Sequence, residues 1–148
     1  MKFEDIFTSL QDTLSDLVPL LKPAPFQPED TTNYKSICFN DPQADNTEWK
    51  TLISPYLSSA KSFEIHCWSD ESEELALALQ YGSIKPYDWE YGTVISGSVT
   101  PDFISFLLSL SKPANTVYAN KMIPFFSIFL DNGFSSEHYG TENFIRLP

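Results

Sequence analysis

The sequence predicts a single α/β or α+β domain spanning residues 1–148, with a central sheet of three to four strands covered by helices. The first observation behind this is the stretch FEIHCWSDESEELALALQYG, residues 63–82. Phe63, Ile65 and Cys67 alternate with Glu64, His66 and Trp68, the period of a half-buried strand, and the run then passes into strong helix formers. The second is that β-rich runs near 34–39 and 93–99 are separated by segments of helical period, so strands and helices alternate along the chain. A composition that is 42% hydrophobic and 15% aromatic lies well away from that of disordered chains.

Taken in order, residues 2–22 have the pattern of an amphipathic helix, with Phe3, Ile6, Phe7, Leu10, Leu14, Leu17, Val18 and Leu21 recurring at three and four. Pro19 kinks or ends it. Asp5, Asp12 and Asp16 occupy the polar side, where a membrane-surface helix would carry lysine and arginine, so this helix is expected to pack on the domain. Pro23, Pro25 and Pro28 make residues 23–32 a connector, and the α/β core is placed at 33–148.

Tyr34 to Phe39 is the first expected strand, followed by a turn at Asn40, Asp41 and Pro42. Trp49, Leu52, Ile53, Tyr56 and Leu57 give Thr47 to Ala60 a helical stripe that Pro55 interrupts. After the strand Phe63 to Trp68, Asp70 is the expected N-cap, Glu73 completes a capping-box spacing, and Gly82 stops the helix. Ser83 to Tyr91 (SIKPYDWEY) is expected as a loop. Thr93 to Val99 is a strand in which Gly97 signals a bulge or a close backbone approach. Thr100 caps a helix that opens on Pro101 and carries Phe103, Phe106 and Leu107. Ala114 to Asn132 follows a helical pattern that Pro124 starts or kinks, closed by Asn132 and Gly133. The tail Phe134 to Glu142 is polar and turn-rich, and Asn143 to Leu147 is a candidate edge strand.

Twenty acids against nine bases give a net charge of −11, which disfavours nucleic acid or an anionic membrane as the direct ligand and favours a cationic protein partner. Solubility alone also accounts for such an excess. Cys38 and Cys67 both lie in apolar strand patterns, where a reduced, buried thiol is expected. MKFEDIFTSL carries acids where a signal peptide needs a basic region, and no run approaches the ~18 apolar residues of a membrane span, so the expected compartment is the cytoplasm.

Cys67 and His66 point to opposite strand faces and cannot form a nucleophile–base pair. Glu64 and His66 share a face, and His138 would complete a two-histidine, one-carboxylate metal site if the tail folded back. The chain lacks a phosphate-binding glycine loop, HExxH, GxSxG and CxxC, so neither cofactor, metal nor catalytic residue is expected and a binding protein is the preferred reading. The expected partner surface comprises Glu64, His66, Trp68, Asp70, Glu71, Glu73 and Glu74, joined by Tyr87, Asp88, Trp89, Glu90 and Tyr91. Aromatic anchors would supply its desolvated centre and acids its rim.

With FEIHCW, the acid-capped helix ending in QYG, and PFFSIFLDNGFSSEHYGTE, residues 62–142 resemble the small immunity proteins of bacterial polymorphic-toxin and contact-dependent growth inhibition systems. The resemblance implies a cytoplasmic protein that binds and neutralises a cognate toxin, with a basic nuclease-type domain as the matching target. The rival is a soluble housekeeping α/β domain, a small hydrolase or ligand-binding protein using the Glu64, His66 and Trp68 face.

Overall fold

A computed structural model describes residues 33–86, 89–114 and 120–148. The helix expected over 2–22, the connector at 23–32 and the side chains of Tyr87 and Asp88 lie outside the described residues.

The elements follow the order β1 (Tyr34–Cys38), α1 (Thr47–Ser59), β2 (Ser62–Trp68), α2 (Ser72–Ala78), β3 (Ser83–Lys85), β4 (Gly92–Ser98), α3 (Pro101–Leu108), β5 (Ser127–Leu130), β6 (Ser135–Glu137) and β7 (Glu142–Arg146). All seven strands form one antiparallel sheet in the order β1-β7-β6-β5-β2-β4-β3. This corrects the expected three- to four-stranded sheet covered by helices. Strand dominates, and the three helices among the described residues are short.

The added strands come from three segments: Ser83–Lys85, expected within a loop, pairs with β4 as the edge strand β3, and two further segments have local patterns that mislead. Residues 123–130 look helical because nearly every position is apolar, but β5 lies between β2 and β6 with Ser127, Ile128 and Leu130 buried. A short, continuously apolar run is equally the signature of a strand buried on both faces. Ser135 and Ser136, expected in a polar tail, are buried in β6. Ser136 there accepts the indole N–H of Trp49 at 2.9 Å, which satisfies two polar groups inside the core.

One face of the sheet builds that core. Phe63, Ile65 and Cys67 of β2 lie in one cluster with Ile95 of β4, Ile128 and Leu130 of β5, Trp49, Ile53 and Leu57 of α1, and Phe103 and Leu107 of α3. Gly97 sits opposite Phe63 in the β2–β4 register, and a Cβ there would approach the Phe63 ring to 2.9 Å and the Tyr81 carbonyl oxygen to 2.7 Å. The close approach expected at Gly97 therefore has a cause: the missing side chain admits the Phe63 ring, which stacks on Phe103 with centroids 3.9 Å apart.

Helix ends divide. Thr100 caps α3 as its sequence promised, its hydroxyl accepting the Phe103 N–H at 3.1 Å. Asp70 does not cap α2. Glu71 holds that position, and its carboxylate turns back to the N–H of Trp68 rather than forward to the helix. Gly82 falls four residues past the last helical residue, close against Ser96 of β4. Pro55 lies inside α1 without ending it. Cys67 is buried as expected, but Cys38 is exposed, at the end of the edge strand β1. Among the described residues no helix is long and apolar enough to cross a membrane.

Candidate functional site

The sheet face opposite the helices carries Glu64, His66 and Trp68, and the antiparallel register sets what lies beside them. Trp68 faces Gly92 of β4, His66 faces Val94 and Ser127, and Glu64 faces Ser96 and Phe129. A Cβ on Gly92 would collide with the Cys67 carbonyl oxygen and lie 2.8 Å from the Trp89 ring. The glycine thus leaves room for the Trp89 indole against the Cys67–Trp68 backbone. Trp68 packs 4.8 Å from Trp89 and 4.9 Å from Phe126, with Tyr91 at 6.3 Å, and His66 lies 4.8 Å from Phe129 and 5.4 Å from Trp89. A half-buried aromatic cluster results, drawn from β2, the segment before β4, β5 and the residue that enters it.

Beneath it runs a polar row. Lys85 of β3 donates to Glu64 Oε2 at 2.7 Å, and His66 Nε2 lies 3.6 Å from Glu64 Oε1. Burial pushes the Glu64 carboxyl up, but His66 and then Lys85 pull harder, and it titrates below its ordinary value.

Next to Trp68 opens a cavity of about 700 Å³ lined by Trp68, Ser69, Asp70, Glu71, Glu74, Lys121 and Tyr139. Glu71 lines it. One carboxylate oxygen accepts the Trp68 N–H at 2.8 Å and the other accepts the Tyr139 hydroxyl at 2.6 Å. Burial raises the Glu71 carboxyl above its ordinary value despite those donors and the nearby Lys121 charge. Burial and the bond to Glu71 also raise the Tyr139 hydroxyl, so it stays a donor. The Lys121 ammonium sits 4.1 Å over the Tyr139 ring.

The chain therefore brings together Glu64, His66, Trp68, Trp89 and Tyr91 on one face, with Asp70, Glu71 and Glu74 beside them. Glu73 and Glu90 are exposed away from the cavity lining. Among the described residues no group of three His, Cys, Asp or Glu side chains is placed to hold a metal ion. His138, the third ligand of the conjectured metal site, instead pairs with Glu142 at 2.7 Å.

Lys121, Phe126, Phe129 and Tyr139 were not anticipated as site residues. They come from segments expected to be helix or polar tail, and the sequence carried one usable signal, a tryptophan on a strand whose antiparallel neighbour offers a glycine. Comparison with protein-family models, curated proteins and solved structures found no match.

Proposed function

We propose that this protein acts by stoichiometric binding of a cationic partner protein, as an immunity protein neutralising a bacterial toxin in the cytoplasm, through the surface centred on Trp68. The observation that carries the reading is the juxtaposition at that residue. A cluster of four aromatic side chains, Trp68, Trp89, Tyr91 and Phe126, adjoins a cavity whose wall presents the carboxylates of Asp70 and Glu74. Large rigid aromatic rings give contact area at low entropic cost, and carboxylates at the margin steer a basic partner and fix its orientation. With a net charge of −11, the rest of the chain adds to the same field. A basic nuclease domain has the complementary charge.

The test is co-expression with the C-terminal domain encoded by the open reading frame directly upstream. Rescue of growth together with co-purification supports the reading; turnover of a substrate by the purified protein alone overturns it. On a cognate partner, reversing the charges of Asp70, Glu73 and Glu74 together lowers the association rate, and raising salt does the same, since attraction is screened beyond a Debye length of about 10 Å at 0.1 M. Trp89→Ala acts mainly on dissociation, by about 2 kcal/mol if the indole is a central anchor.

A further inference from the structure

Tyr139 is unusual in its backbone before its side chain is considered. His138, Tyr139 and Gly140 take φ of 52°, 62° and 86°, three successive residues in the left-handed region. Glycine accepts that conformation freely; a bulky aromatic residue does so only where its surroundings over-determine it. Here they do. The Tyr139 N–H donates to the Phe126 carbonyl at 3.0 Å, and the Tyr139 carbonyl accepts the amides of Met122 at 2.8 Å and Ile123 at 3.1 Å. Its ring packs on Phe126 at 5.3 Å, and its hydroxyl ends on Glu71.

Glu71 closes the arrangement from the other side. Its two oxygens are each engaged by an internal donor, Trp68 N–H and Tyr139 O–H, so it links the end of β2 to the turn between β6 and β7 across 68 positions of sequence. Asp70 is exposed and Glu74 half-exposed on the same cavity.

We infer that Glu71 is a positioning residue for the Trp68 surface, a clasp that holds Tyr139 and Trp68 in fixed relation, rather than a carboxylate that meets the partner's charge. The inference rests on the binding reading for its purpose, but the clasp itself is testable on the protein alone. The titratable groups that act on Glu71 are the Tyr139 hydroxyl, Lys121 and Glu74 of α2, and the Glu71 charge in turn raises the buried Cys67 thiol. Removing the charge of Glu71 while keeping its shape therefore separates the two roles.

In Glu71→Gln, the amide oxygen still accepts the Trp68 N–H, and the amide nitrogen can donate to the Tyr139 hydroxyl oxygen, so the clasp survives without the charge. Glu71→Ala removes both bonds, and Tyr139→Phe removes one while leaving the carboxylate. Hydrogen exchange of the Met122, Ile123 and Tyr139 amides reads the clasp. Acceleration of about tenfold in Glu71→Ala and Tyr139→Phe, with Glu71→Gln close to the wild type, is the expected result, on the scale of a lost hydrogen bond to a charged group. Exchange unchanged in Tyr139→Phe overturns the clasp, and that variant stays informative if Glu71→Ala fails to fold. Binding of an octa-arginine peptide at low salt reads the charge. Glu71→Gln binding like the wild type while Asp70→Asn binds more weakly supports positioning; equal losses in Glu71→Gln and Asp70→Asn overturn it. A wild-type protein that ignores the peptide while the exchange pattern holds counts against the cationic partner and leaves the clasp standing.

Discussion

The indole N–H of Trp49 donates to the Ser136 hydroxyl at 2.9 Å, joining the first described helix to an interior strand 87 positions later. Both residues are fully buried. Because the donor has no route to water, Ser136→Ala leaves it unsatisfied, at a cost of about 1–3 kcal/mol. Urea unfolding should register this as a lower midpoint at unchanged slope. A double variant with Trp49→Phe should lose less than the sum of the two single changes, since each single change orphans the partner that the other removes.

Gly92 has an equally direct consequence. A methyl group at this position would meet the Cys67 carbonyl oxygen, the Trp89 ring and the Trp68 Cα all at once. Backbone offers no rotamer by which to give way, so Gly92→Ala should destabilise by about 3 kcal/mol or more, at the upper end of overpacking costs. Tryptophan emission should shift with it, because two of the three tryptophans border the collision. A variant of wild-type stability with unchanged emission would mean that the indoles do not pack around this glycine.

How much of this could be seen in the sequence depended on whether the determining contacts were local. Strand β2 was legible because its alternation is complete, and the α3 cap because Thr100, Pro101 and Asp102 interact within one turn. Strands β5 and β6 were not legible. Whether Ile128 and Phe129 belong to a helix or an interior strand is decided by β2 on one side and β6 on the other, and Ser136 is a core residue only because Trp49 comes to meet it. The site followed the same rule. Glu64, His66 and Trp68 were placed on one face by period alone, whereas Tyr139 reaches Glu71 only through a turn whose left-handed residues have no signature beyond Gly140. Glu71 carries no local signal of its role, and its carboxylate is divided between a strand end and a distant turn.

The two cysteines should behave differently. Burial pushes the Cys67 thiol up to about 12, with the charges of Glu71 and Glu74 adding to the shift, so almost no thiolate forms near neutral pH. Cys38 is exposed on β1. A polar disulfide reagent should therefore titrate one thiol per native chain and two after unfolding, with Cys38→Ser abolishing the native reaction. Cys67→Ala should cost about 1–3 kcal/mol as a core truncation and leave binding unaltered. Rapid modification of both thiols in the folded protein would contradict this assignment.

The row formed by Lys85, Glu64 and His66 makes a claim about both pH and purpose. Glu64 is largely covered, with its side chain 15% exposed, so its charge is tolerated because Lys85 donates to it at 2.7 Å and His66 lies 3.6 Å away. Its carboxyl titrates below the ordinary 4.5, and the sign of the linkage follows: the stabilisation is present above that value and is lost as pH falls through the folded-state value. Lys85→Met removes the closer partner, at 2.7 Å, and leaves a covered carboxylate under-paired. We expect a loss of about 1–3 kcal/mol at pH 7 that shrinks as the pH falls through the folded-state value and the carboxylate is neutralised in both proteins. Glu64→Gln in the Lys85→Met background should restore part of that stability at neutral pH, because the uncompensated charge is gone. The same pair of variants bears on function. If Glu64 serves the fold, the double variant should bind a cationic partner as the wild type does, whereas a carboxylate that meets the partner would show as a binding defect in a protein whose stability has recovered. Unfolding curves between pH 3 and 7, beside association rates for the same two variants, would decide which of these roles the row performs.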